Sequence, residues 1–185
     1  MTKVGGYEES ILNKLRNPDK WTILDNSSIL NKLDELAEES FKKGNLEGYL
    51  VASIIYQQLC EQLVRLLIRD AHFLIQLAVF PISIEFRVNE RATFGQLIDE
   101  LKSTLDFNDK EAFIQKCEMM NKFRIDVVHH LTKNKSLVVL HRRLEHVKSL
   151  YDEIYTLFDD INDDFRVCFH DFKKDFADSY EGFDQ

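Results

Sequence analysis

The chain is poor in the residues that punctuate or staple a fold: two prolines, six glycines and three cysteines in 185 residues. So few turn formers, with 44% apolar residues, favour helices over a barrel, a sandwich or a disordered chain. Cys60, Cys117 and Cys168 are odd in number and far apart, which excludes a disulfide framework and fits no zinc-ligand spacing. They read as reduced thiols, mostly packed. Long apolar runs are missing too. The most apolar stretch, Ala71 to Ile84, is too short and too interrupted by Pro81 to span a bilayer. The first ten residues, MTKVGGYEES, carry no basic-then-apolar signal pattern, so the expected location is cytoplasmic, with no membrane partner. There is no glycine-rich phosphate loop and no serine-nucleophile motif, and no cofactor or metal is expected.

What is present is helical periodicity. Glu8 to Arg16 can form a short helix that must stop before Pro18. Ile29, Leu33, Leu36, Ala37 and Phe41 mark a second helix, ending near Gly44. From Leu46 the apolar positions spread round much of the circumference, as in a central helix covered on several sides. After Pro81 the period becomes two, with Ile82, Ile84, Phe86 and Val88 alternating with polar residues. A lone strand leaves its backbone unpaired, so 82–88 is expected either to pair with a second copy or to lie extended over the bundle. Thr93 and Gln96 have capping-box spacing for a helix from Phe94 to Leu105, and Asn108 with Glu111 can open the next. Beyond Ser136, apolar residues from Leu137 to Phe172 keep a heptad seam, predicting one helix on the order of 54 Å at ~1.5 Å per residue. Its distal half would then pack on a second subunit, unless the helix breaks near Asn162. The fold class expected is all-α, an up-and-down helical bundle over residues 1–160 with an acidic C-terminal helical extension over 161–185.

The net charge of −8 is uneven. Between Lys116 and Lys148 there are eight Lys or Arg against three acids, joined by four of the six histidines, whereas from Asp152 onward eleven acids face Arg166, Lys173 and Lys174. A solvated face explains such a run, and so does a basic, histidine-bearing cleft for a phosphate-bearing ligand.

Within the basic segment lies KFRIDVVHHLTK, Lys122 to Lys133. Arg124 falls on the same helical side as Met120, Val127 and Val128, so its guanidinium must emerge at the edge of a packed seam or find a carboxylate such as Glu61 or Glu118. His129 follows Arg124 by five residues, roughly 140° away on an ideal helix at ~100° per residue. The two meet if the arginine bends along the groove or if the site is shared between two chains.

An arginine, four residues and a histidine, late in a helix that follows a long central helix, resembles the R-x4-6-H motif of the HEPN superfamily. The resemblance spans roughly Leu46 to Leu157, with Asp126 near the family's polar position and Ile125 where a polar residue is common. It implies a homodimer whose two motifs face each other across a cleft and cleave RNA without metal. On this reading His129 is the general acid/base, Arg124 holds the phosphate, Asp126 orients an imidazole, and His130 substitutes for His129 if the register differs. The implied settings are a toxin or defence ribonuclease, with an antitoxin as partner, or a non-catalytic HEPN-like regulator or scaffold that binds RNA, a nucleotide or another protein.

Overall fold

The computed structural model describes residues 6–21, 27–87, 89–128 and 136–180. Among them the chain is all-α, with no strand. The helices are α1 (Gly6–Arg16), α2 (Ser27–Lys42), α3 (Leu46–Val79), α4 (Phe94–Lys102), α5 (Lys110–Val128), α6 (Leu137–Leu144) and α7 (Val147–Tyr180), with a 3₁₀ turn at Pro18–Lys20. The all-α bundle expected from composition and period is therefore present.

α3 is the axis. Tyr56, Leu59, Cys60, Leu63, Val64 and Leu67 are buried on several of its sides because α2, α4, α5, α6 and α7 all pack on it. Its start is fixed by Asn45, whose Oδ1 accepts from the Gly48 N–H at 2.8 Å. Gly44 ahead of it has φ 63°, a left-handed conformation that lets α2 stop and the chain reverse. Gly48 allows the closest approach of α2 to α3, since a Cβ there would collide with the Ser40 carbonyl oxygen. α4 carries the anticipated capping box: Gln96 N–H donates to Thr93 Oγ1, and Thr93 N–H donates to Gln96 Oε1. It ends at Lys102 rather than Leu105, where the Ser103 and Thr104 hydroxyls donate back to the carbonyls of Glu100 and Leu101.

Over 82–87 the extended alternative is the one found, and two local expectations change. The alternating segment does not form a strand over 82–87, and residue 88 lies outside the described residues. The chain instead retraces α3: Gln76 Nε2 donates to the Ile84 carbonyl at 3.3 Å, the His72 and Phe86 rings stack 3.9 Å apart, and Arg65 Nη2 donates to the Ala92 carbonyl at 2.9 Å. Its period of two arises because Ile84 and Phe86 turn partly inward while Ser83, Glu85 and Arg87 face solvent. The opening of α5 falls at Lys110, after Asp109 with φ 57°, and the Asn108 side chain donates to Asp164 instead of capping.

The second change is in the long seam, which is interrupted at Glu145–His146 and not near Asn162. Leu140 and Leu144 pack in a small cluster with Val127, Tyr49 and Phe123, whereas Leu150, Ile154 and the residues after them enter the main core, so the interruption lets one seam serve two clusters. α7 then runs unbroken for 34 residues, about 51 Å at ~1.5 Å per residue. Phe165 and Phe169 of its distal half are met by Phe107, Trp21 and Phe73 of the same chain, so that core-facing side is covered from within.

Candidate functional site

α5 enters the core through Phe113, Cys117, Met120 and Val127, all buried. Arg124 occupies the stripe position between Met120 and Val127, yet it is only partly buried. Beside it Phe123 packs against both the main core and the small Val127–Leu140–Leu144 cluster. Arg124 thus marks the point where α5 passes from one cluster to the other, and an unpaired charge is tolerated there only where it reaches water or an anion.

Neither anticipated carboxylate serves it. Glu61 pairs with Arg65 at 2.9 Å, and Glu118 pairs with Lys102 at 2.6 Å. Among the described residues no acid forms an ion pair with Arg124.

Asp126 is about 200° further round the helix at ~100° per residue, and its carboxylate accepts from Arg143 Nη1 of α6 at 3.4 Å. The structure therefore brings Asp126 to Arg143 and not to Arg124. This contact, between side chains 32% and 55% exposed, ties the end of α5 to the basic last turn of α6. His141 of that turn lies 5.0 Å from the Tyr49 ring and 3.2 Å from Glu145. Lys116 and Lys148 are taken by Glu153 and Asp152, leaving Lys122, Arg124 and Arg142 without an ion pair among the described residues. His129 and His130 follow the last residue of α5 directly and lie outside the described residues.

A second polar cluster escaped the sequence reading. Asp70 of α3 is fully buried and accepts from Arg166 of α7, which also donates to Asn162 at 3.1 Å. Lys14 of α1 sits 4.1 Å over the Phe73 ring beside it, its pKa lowered chiefly by burial. Burial pushes the Asp70 carboxyl up to about 7, against the opposing pull of Arg166, Lys14 and Arg69. The signal was in the sequence as the lone acid of LLIRDAHFL, since a carboxylate in so apolar a helix needs a cation from elsewhere. The cluster ties three helices together.

The thiols of Cys60 and Cys117 are buried and pushed above their ordinary pKa by that burial, while Cys168 is exposed. Among the described residues no group of His, Cys, Asp and Glu is placed to hold a metal, and no helix is long and apolar enough to cross a membrane.

Fold and site together define an all-α bundle with a partly buried arginine on the core stripe of α5. No family model, curated protein or solved structure matches the chain.

Proposed function

We propose that this chain is a HEPN-like helical protein that acts on RNA as a homodimer, cleaving it without a metal ion. The observation that supports this is Arg124, a guanidinium on the core-facing stripe of α5 with no carboxylate among the described residues to neutralise it, close in sequence to two histidines. A fork of that kind suits a phosphate. In the reaction the ribose 2′-oxygen bonds to phosphorus as one imidazole takes its proton, the bond from phosphorus to the 5′-oxygen breaks, and a second imidazole protonates the leaving oxygen. The products are a 2′,3′-cyclic phosphate and a 5′-hydroxyl. His129 supplies the imidazole, with His130 as the substitute, and Arg124 carries the charge that builds on the phosphate.

A second reading is favoured by the Asp126–Arg143 contact. It sets the α6 cations beside the end of α5. On that reading the same surface binds RNA without cutting it.

Labelled RNA incubated with the protein in EDTA separates the two. Cleavage to cyclic phosphate ends, abolished in folded Arg124→Ala and His129→Ala, is the expected result. Salt-sensitive binding without cleavage supports the second reading, and neither binding nor cleavage across varied substrates rejects both.

A further inference from the structure

A cleft of 340 Å³ opens between α2, α3 and α7, lined by no residue of α5 or α6. Its floor is the stacked pair Tyr56 and Tyr151, with ring centroids 4.4 Å apart at 22°. Tyr155, 47% exposed, lines the cleft with its ring 6.2 Å from that of Tyr151. Three carboxylates line the same space, Asp34, Glu38 and Asp152, against one ammonium, Lys148.

These acids are not equivalent. Asp152 is held by Lys148, 2.9 Å from both oxygens, and Glu38 by Lys42 at 3.1 Å. Asp34 lies beside Tyr151, whose hydroxyl is pushed up first by burial and then by this carboxylate, and has no ion-pair partner among the described residues. The cleft is electronegative at its floor: burial first, then Asp34, Asp152 and Glu38, push the Tyr56 hydroxyl above its ordinary range. Tyr56 itself is 1% exposed and lines the cleft, and its hydroxyl has no hydrogen-bond partner among the described residues. Its oxygen is not one of the fully buried unpaired atoms, so the hydroxyl is open to a ligand or water in the cleft.

We propose that this cleft binds a small organic cation of the alkylammonium class. The ammonium N–H groups donate to the Asp34 carboxylate and the Tyr56 oxygen, and the methylene stem lies over the Tyr155 ring and against Leu30 and Leu59, where aromatic faces and carboxylates both favour a cation. The excess of carboxylates disfavours an anion. The aromatic and leucine lining distinguishes the site from a cluster of acids that would attract any counter-ion. The inference is independent of the Arg124 site.

The test is a titration of the full ¹⁵N-labelled chain with spermidine, followed by amide shifts. Saturable shifts centred on the cleft segments of α2, α3 and α7 are expected. Affinity should fall about tenfold in Asp34→Asn and measurably in Tyr56→Phe, which loses only the unpartnered hydroxyl and keeps the parent melting temperature. Asp160→Asn, on α7 outside the cleft, should bind as the parent does. Shifts that do not saturate, that weaken as much in Asp160→Asn, or that an equal concentration of magnesium abolishes would reduce the effect to the counter-ion atmosphere of an acidic chain and overturn the proposal.

Discussion

Asp70 and Arg166, 96 residues apart, meet as a two-point ion pair, with the guanidinium nitrogens 3.4 and 3.3 Å from Oδ1 and Oδ2 and the carboxylate fully buried. The contact joins the C-terminal half of α3 to the distal half of α7, and Lys14 brings in α1.

Because burial raises the folded-state pKa of Asp70 to about 7, the folded chain holds a proton there that the unfolded chain has released above ~4. The stability contributed by Asp70 is thus fully present below ~4 and declines as pH rises through about 7. Arg166→Met should cost about 2 to 3 kcal/mol at pH ~8, where it strands a buried carboxylate. The loss should be smaller at pH ~5.5, where the carboxyl is mostly neutral in the parent as well. Urea unfolding of both proteins at the two pH values measures this, and an equal loss at both would remove Asp70 from the titration.

Arg124 stands in a different situation, at the edge of its stripe with no acid pairing it among the described residues. Arg124→Ala should therefore change unfolding free energy by less than about 1 kcal/mol while abolishing RNA binding or cleavage. A destabilisation of about 3 kcal/mol in a denaturant melt would mark it as a buried structural partner.

Gly48 sets the spacing of α2 and α3. Gly48→Ala places a methyl group against the Ser40 carbonyl, a backbone atom that cannot swing aside, so the helices must separate. A loss of about 2 kcal/mol or more is expected, read as a lower thermal midpoint. An unchanged midpoint would show that the pair has room.

Thr93 caps α4 through both bonds of its box. Thr93→Ala should destabilise by about 1 kcal/mol and Thr93→Ser by only a fraction of that. Chemical denaturation of the two variants reports the difference, with faster amide exchange at the start of α4 in Thr93→Ala as the local sign.

Periodicity and composition by themselves determined the helices, their approximate bounds, the centrality of α3 and the all-α class. Each of these depends on which face of a local segment is apolar, a property the chain carries before it folds. The capping box was legible for the same reason, since both its partners lie within four residues. What only the tertiary structure decided are relationships between segments: that 82–87 lies back along α3, that the seam divides at Glu145–His146 to serve two clusters, and that Asp126 meets Arg143 and not Arg124. The burial of Asp70 against Arg166 and the gathering of Tyr56, Tyr151 and Asp34 round one cleft belong with these. A side chain's partner across many residues depends on how whole helices pack, and the local pattern that makes each helix does not encode it.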